Sequence, residues 1–478
     1  MRNIIVAYGD GIGPEIMDAT LYVLKEAKAK ISIASIQIGQ QLYNKHYTSG
    51  IDQMAWDTIA KGDVLLKAPI TTPQGGGYKS LNVTLRKSLG LYANIRPAKS
   101  FAPFVWTLHP NLDVVIIREN EEDIYAGIEY RHTHNVYESI KLISQTGSQK
   151  IIRYAFEYAR SQGRKKVTCV VKDNIMKFTD GIFHKIFNEV ALEYQDIESN
   201  SILVDIGIAK IATKPENFDV IVTSNLYGDI ISDLVAEISG SVGLAGSANI
   251  GQNYAMFEAV HGSAPDIAGL GIANPSGLLN AAIMMLAHID QPDCASLIDN
   301  ALKKTIEDGI HTADIYNPQN SKAKVSTMEF AYAVGSRLGQ QPSLLRKTQY
   351  QLSANLSTKE QATIDTSEVK KLVGADVFIN TIINNPDELA QKILSIGDKN
   401  FKLISIAHKG LKVWPDHANA HIIGDHWCCR FMGNNEDLTH QNTAQLLALL
   451  ADQGIDFIKI EHLYTFNNHS GYSLSQGE

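Results

Sequence analysis

Five residues suited to holding a small polyanion crowd one stretch of this chain: Ser80, Asn82, Arg86, Arg96 and Arg118. The chain has eleven arginines in 478 residues, and three of them fall within residues 86–118, where an even spread would put fewer than one. A guanidinium stays charged at any working pH and grips a carboxylate with two parallel N–H donors. Three of them, with a hydroxyl and an amide, suit a small polycarboxylate. The competing use of these arginines is pairing with Glu119, Glu121, Glu122 and Asp123.

A second constellation is acidic. Asp229 and Asp233 stand four apart in DIISDLVAEI, so a helix would place both on one face. Like charges at that spacing repel unless a cation lies between them, and hard carboxylate oxygens suit Mg²⁺ or Mn²⁺. The plainer alternative is that Asp229 favours the positive end of the helix dipole and Asp233 is solvated. Asp205 is a third acidic candidate that nothing local singles out. The glycines say less. Gly9-Asp10-Gly11-Ile12-Gly13 is G-x-G-x-G rather than the dinucleotide spacing G-x-G-x-x-G, and it reads as a tight strand-to-helix turn with Pro14 opening the helix. Gly75-Gly76-Gly77 reads as a mobile loop.

The elements that must position these residues alternate between strand and helix. Strand-like runs at Asn3–Tyr8, Ile31–Ile38, Val64–Ala68, Val114–Ile117, Val167–Val171 and Asp219–Thr223 are interleaved with helix-period segments. These helices are expected from Pro14 to about Lys28, at Met54–Ala60, at Ile151–Ala159, from Thr179 and from Asp229, with a buried one over Asn274–His288. That rhythm predicts an α/β layer fold. Near residue 340 the composition shifts, and residues 346–371, rich in Lys, Gln, Ser and Thr, read as a linker. The tail then runs β-α-β-β-α-β, the split βαβ pattern.

Composition bounds the partners. Hydrophobic residues at 44% and charged residues at 20% are ordinary for a globular protein, which excludes a mainly disordered chain or a fibre. A net charge of −8 gives no support for nucleic acid or an anionic membrane surface as partner. No apolar run reaches the roughly 18 residues that span a bilayer. The N-terminus has no signal-like pattern, and four scattered cysteines suit a reducing compartment, so a cytoplasmic location is expected.

Longer motifs then accumulate. GDGIGPE at 9–15, KAPITTPQGGGYKSLNVTLRKSLGLYANIRP at 67–97, RENEEDIYAGIE at 118–129, KDNIMKFTDGIF at 172–183, SNLYGDIISD at 224–233 and HGSAPDIAGLGIANP at 261–275 resemble isocitrate dehydrogenase. The wider family also holds isopropylmalate and homoisocitrate dehydrogenases. The resemblance covers roughly residues 1–340. LKVWP at 411–415, DHWCCRF at 425–431 and LYTF at 463–466 resemble the extra C-terminal domain of a bacterial subgroup.

The resemblance implies that family's own α/β fold, not a Rossmann fold, with a two-domain core around an active-site cleft. Residues 1–91 with 241–340 would form the large domain. Residues 92–240 would form a small one with the dimer contact and a clasp at about 126–146. Residues 372–478 would form an α+β C-terminal domain. By position, Ser80, Asn82, Arg86, Arg96 and Arg118 match substrate contacts; Asp229 and Asp233 match metal ligands, joined by Asp205 of the other subunit. Tyr125, with Lys172 of the other subunit, matches the catalytic pair of a homodimer or larger homo-oligomer. Ile70, Thr71, Thr72, His261, Gly262, Ser263, Ala264, Pro265, Asp266, Ile267, Asn274 and Asp314 match the cofactor region.

The implied reaction is oxidation and decarboxylation of isocitrate to 2-oxoglutarate, with Mg²⁺ or Mn²⁺. Ser80 and Asn82 can hydrogen-bond a third carboxylate, whereas isopropylmalate asks for an apolar wall, so isocitrate is favoured over isopropylmalate and homoisocitrate. A non-catalytic regulatory subunit is disfavoured, because every catalytic and metal position is filled. Asp266, where NADP-using relatives often carry lysine, and Ala313 and Asn317, where they carry tyrosine and arginine, predict NAD⁺ as the cofactor, since a carboxylate repels a 2′-phosphate.

Overall fold

The computed structural model describes residues 1–47, 49–72, 79–351, 367–416, 424–434 and 437–477. Gly75-Gly76-Gly77, Pro73, Gln74 and Tyr78 of the long motif, and residues 352–366 of the expected linker, lie outside the described residues. The chain divides into two units, residues 1–126 with 141–362, and residues 127–140 with 363–478.

The first unit begins with β1 (Arg2–Ala7), β2 (Ile31–Ile36), β3 (Val64–Lys67), β4 (Ala93–Lys99) and β5 (Asp113–Glu119). The hairpin β6 (Glu129–Arg131) and β7 (Tyr137–Ser139) belongs to the second unit. The first unit resumes with β8 (Lys166–Val171), β9 (Glu198–Leu203), β10 (Val220–Thr223), β11 (Gly246–Ile250) and β12 (Ala255–Ala259), and a short pair, β13 (Ile310–His311) and β14 (Ala323–Lys324). Ten strands make one sheet in the order β2-β1-β3-β12-β11-β4-β5-β10-β8-β9. Its two flanks are parallel, and they meet through antiparallel β12-β11, β11-β4 and β4-β5 pairings. That order differs from the 3-2-1-4-5-6 of a Rossmann sheet, as the family resemblance implies. β5 and β10 are apolar and buried along nearly their whole length, as strands of a sheet covered on both faces are. Val114, Val115, Ile116 and Ile117 are all buried.

Two elements absent from the sequence reading matter for the site. β4 contains Asn94, Arg96 and Pro97, which break the apolar pattern of a strand, yet it is paired on both sides. The helix Leu81–Ser88 carries Asn82 and Arg86 one turn apart. The helix expected from Asp229 begins a turn earlier and runs Asn225–Ile238. Ser343, Leu344 and Leu345 donate their amides to Glu307, and Thr348 bonds Asn300, so the chain after residue 340 lies along the helix Pro292–Glu307.

The second unit contains β15 (Lys370–Asn380), β16 (Phe401–His408), β17 (Leu411–Trp414), β18 (His426–Gly433), β19 (Asp456–Phe466) and β20 (His469–Ser470), with helices Pro386–Leu394 and His440–Asp452. The sheet order is β17-β16-β18-β15-β19-β20, so the four long strands interleave as a split βαβ expects, extended by a short strand at each edge. The β6-β7 hairpin is held in this unit by Lys459 Nζ donating to Glu138 (2.6 Å) and Asn135 Nδ2 to Asp425 (3.2 Å). Among the described residues no helix is long and apolar enough to cross a membrane.

Candidate active site

The cleft opens where the antiparallel middle of the ten-stranded sheet meets its parallel flanks. It has a volume of about 380 Å³, and Ser80, Asn82, Arg86, Arg96, Arg118, Tyr125, Asp229 and Asp233 all line it. So do Ile70, Thr72, His261 and Gly262 from the expected cofactor region, together with Lys67 and Glu258.

Each arginine is held from a different element. Arg86, on the helix Leu81–Ser88, donates to Glu258 Oε1 at 2.9 Å. Arg96, on β4, donates NH1 to Ser232 Oγ (2.7 Å) and Asp229 Oδ1 (3.1 Å). Arg118, at the end of β5, is 1% exposed; it donates to the carbonyl and side chain of Asn225 and pairs with Asp229. A Cβ on Gly228 would lie 2.5 Å from Arg118 Cγ, so glycine is what lets the helix Asn225–Ile238 pass over this side chain. Burial and the neighbouring Arg96 charge push the Arg118 pKa down to about 9, which leaves it cationic at neutral pH. The sequence alternative, that these arginines pair with the 119–123 acidic run, is not what forms: Glu258 and Asp229 take them.

Asp229 and Asp233 share the helix face toward the cleft. Although burial opposes it, Arg118 and Arg96 hold the Asp229 pKa below the usual carboxylate range, and Tyr125 Oη donates to Asp229 Oδ2 at 2.5 Å. Asp233 shifts the other way: burial, against the pull of Arg96, and the nearby Asp229 charge raise its pKa. Burial, against Arg118, and Asp229 also raise the Tyr125 pKa, so its phenol stays protonated at neutral pH. Among the described residues no three His, Cys, Asp or Glu side chains converge on one point. Lys172 and Asp205 pair with each other at 2.8 Å, and neither lines the cleft of its own chain.

The cofactor-region residues form a neighbouring wall. Thr71 Oγ1 and Ser263 Oγ lie 2.8 Å apart, and Thr72 donates to Ser80 at 3.2 Å. Ala264 turns through a left-handed conformation into the short turn Pro265–Ile267. Asn274 Nδ2 donates to Asp314 (3.0 Å), which also accepts from Ser241 and Thr312. Gly9 and Gly11 adopt positive φ, and a Cβ on either would strike the carbonyl of Pro69 or Ser263, so the GDGIG run is a close-approach turn against this wall. Burial holds the His261 pKa below the ordinary imidazole value.

Sequence reasoning missed Lys67 and Glu258. Lys67 is fully buried, and its Nζ meets Glu258 Oε2 at 2.7 Å. Burial alone would raise the Glu258 pKa, but Lys67 and Arg86 hold it far below the carboxylate range. The available signal was a single charged residue in each of two otherwise apolar runs, Lys67 closing VLLK and Glu258 within AMFEA.

Residues 3–334 match the family described as isocitrate/isopropylmalate dehydrogenase, and residues 370–478 match the bacterial isocitrate dehydrogenase C-terminal domain. The chain is 64% identical to a Rickettsia felis protein named isocitrate dehydrogenase [NADP], across 99% of each chain. It is 40% identical to the Thermus thermophilus protein of the same name, over 100% of this chain and 96% of the other. A crystal structure of the TT0538 protein of Thermus thermophilus superposes with a TM-score of 0.93 at 39% identity, covering 100% of this chain and 96% of that one.

These names overturn the expectation of NAD⁺. Full-length relatives at 62–64% identity are named for NADP. The single carboxylate of Asp266 does not decide which dinucleotide binds. It sits exposed on the turn Pro265–Ile267, where water and salt screen its charge, rather than in a dry pocket where it would repel a phosphate. Along nearly all of its length, by sequence and by strand order, this chain belongs to the isocitrate/isopropylmalate dehydrogenase family and carries the C-terminal domain of its bacterial isocitrate dehydrogenases.

Proposed function

We propose that this chain oxidises and decarboxylates isocitrate to 2-oxoglutarate and CO₂, with reduction of NADP⁺ and with Mg²⁺ or Mn²⁺. The observation that carries this reading is a set of buried polar atoms without a partner among the described residues: Asn82 Oδ1, Arg86 Nε and His261 Nε2. All three residues line the cleft that also holds Arg96, Arg118, Asp229 and Asp233. Leaving such an atom unpaired costs about 1–3 kcal/mol, so a polar ligand is what the cleft asks for. Turned about its last bond, the Asn82 amide presents N–H donors to a carboxylate. An isopropyl group would leave the Asn82 and Arg86 atoms unpaired, and this supports isocitrate over isopropylmalate.

Asp229 and Asp233 fit a divalent cation in donor type and spacing, and the third carboxylate, Asp205, would come from a second copy of the chain. Ile70, Thr71, Thr72, the 261–267 loop, Asn274 and Asp314 would hold the dinucleotide. When bound, the dinucleotide would supply a hydride acceptor and the cation a Lewis acid beside the substrate's hydroxyl. The chain's own residues do the rest. Arg86, Arg96 and Arg118 hold carboxylates in fixed places, so little reorganisation remains for the reaction itself. Lys172 of the second copy, once it has released a proton and become a neutral amine, would take the hydroxyl proton. Tyr125, kept protonated beside Asp229, returns a proton to the carbon that lost CO₂.

Steady-state kinetics of the purified protein test this. The expected result is a kcat/KM for isocitrate at least roughly 100-fold above that for 3-isopropylmalate, a preference for NADP⁺ over NAD⁺, and loss of turnover in EDTA. Equal use of isopropylmalate, or full activity without a divalent ion, would overturn the respective part of the reading.

A further inference from the structure

Two of the arginines that face the cleft, Arg86 and Arg96, come from different elements, yet one buried chain of hydrogen bonds joins them. Arg86 NH2 donates to Glu258 Oε1 (2.9 Å), and the same oxygen accepts from Asn249 Nδ2 (2.9 Å). Asn249 Oδ1 accepts from Asn94 Nδ2 (2.9 Å), and Asn94 Oδ1 accepts from Arg96 Nε (2.6 Å). Asn94 and Asn249 are fully buried in the middle of the sheet.

The sheet dictates this line. Asn94 and Asn249 stand directly opposite one another in the β4-β11 register, so they share a face. Arg96 lies two residues beyond Asn94 on that face. Across the β11-β12 pairing Met256 faces Asn249, and Glu258 lies two residues further on the same side. Three neighbouring strands thus carry the line from one side of the cleft to the other.

Its direction is fixed at both ends. A guanidinium can only donate and an ionised carboxylate can only accept. Arg96 therefore forces the Asn94 oxygen toward itself and the Asn94 amide group toward Asn249. Glu258 forces the Asn249 amide group toward itself and the Asn249 oxygen toward Asn94. Neither amide can flip without breaking the line at both its contacts. Two amides at full burial cost folding energy that apolar side chains would not, and they carry no charge of their own into the cleft.

Resting on the isocitrate reading, we propose that Asn94 and Asn249 are positioning residues that lock the separation and rotation of Arg86 and Arg96, and so set the spacing at which the substrate's carboxylates are read. The arginines hold substrate and transition state alike, so cutting the line acts on binding rather than on the chemical step.

The test is kinetics of Asn249→Ala, Asn94→Ala and the double variant. Each single variant is expected to raise KM for isocitrate by roughly tenfold, with kcat within about threefold of wild type. Because the two amides act in series, the double variant should cost no more than either single. Asn120→Ala is the control: Asn120 also donates to Asn249 (3.0 Å) but lies outside the path between the arginines, so it should lower the melting temperature and leave KM unchanged. If the alanine variants do not fold, Asn94→Ser and Asn249→Ser are read the same way. An unchanged KM in the cut variants, a matched loss in kcat, or KM effects that multiply in the double variant would overturn the relay. Wild-type protein that does not turn over isocitrate would instead overturn the substrate reading, and the relay's stated role with it.

Discussion

Glu119 follows Arg118 in the sequence, but alternation along β5 sends the two side chains to opposite faces. Arg118 finds Asp229, while Glu119 is buried among backbone amides, accepting from Glu121 and Glu122 and forming no ion pair among the described residues. Burial, aided by the charges of Glu122 and Glu121, pushes its pKa up to about 7 from an ordinary 4.5. The folded state therefore binds the proton more tightly than the unfolded chain, and the stability this contributes is full below about pH 4.5 and lost as pH rises through about 7. Glu119→Gln cannot titrate. Its stability relative to wild type should rise between pH 5 and pH 8, by on the order of 1–3 kcal/mol. Thermal melts across that range check this, and a pH-independent gap would refute it. The Lys67–Glu258–Arg86 cluster is not legible from residue order, because its members come from β3, β12 and the helix Leu81–Ser88, and the burial that shifts Glu119 is set by the elements packed over β5.

At the scale of elements, the turn between β1 and the helix Gly13–Glu26 ties the N-terminus to the 261–267 loop. Gly11 has φ +59°, and a Cβ there would lie 2.0 Å from the Ser263 carbonyl, which accepts from the Ile12 amide. Gly11→Ala should cost about 1–3 kcal/mol of stability and raise KM for NADP⁺ more than for isocitrate, because the displaced wall is the one proposed to hold the cofactor. Thermal melts and initial-rate kinetics with each ligand varied measure both; unchanged stability would remove the close-approach argument. The elements that periodicity reveals are those covered on a single pattern, such as β1, β3, β5 and β8. β4 escapes because Asn94, Arg96 and Pro97 serve the cleft rather than the core. β9 escapes because it is an edge strand whose first four residues are exposed and show no apolar alternation.

For the whole molecule, the decisive geometry is that Lys172 and Asp205 pair away from the cleft of their own chain while Asp229 and Tyr125 face it. If one reaction needs all four, two copies must share each site. Co-expressed Lys172→Met and Asp229→Asn chains, each inactive alone, should then regain about a quarter of wild-type activity, since half the random dimers are mixed and each mixed dimer restores one site in two. No recovery, with mixed dimers verified by mass, would place Lys172 outside the shared site.

The sequence by itself determined the family, its bacterial C-terminal domain, the α/β layering and part of the cleft lining, Arg86, Arg96, Arg118 and Asp229 among it, because long motifs and local periodicity are properties of neighbours along the chain. Only the tertiary structure decided what those residues do to one another. It assigned Asp229 rather than the nearby acidic run as partner to Arg96 and Arg118, gave Arg86 a buried carboxylate from β12, and strung Asn94 and Asn249 between two arginines. Those pairings join positions more than a hundred residues apart along the chain, and strand order in a sheet, not distance in sequence, sets which polar groups meet where water is excluded.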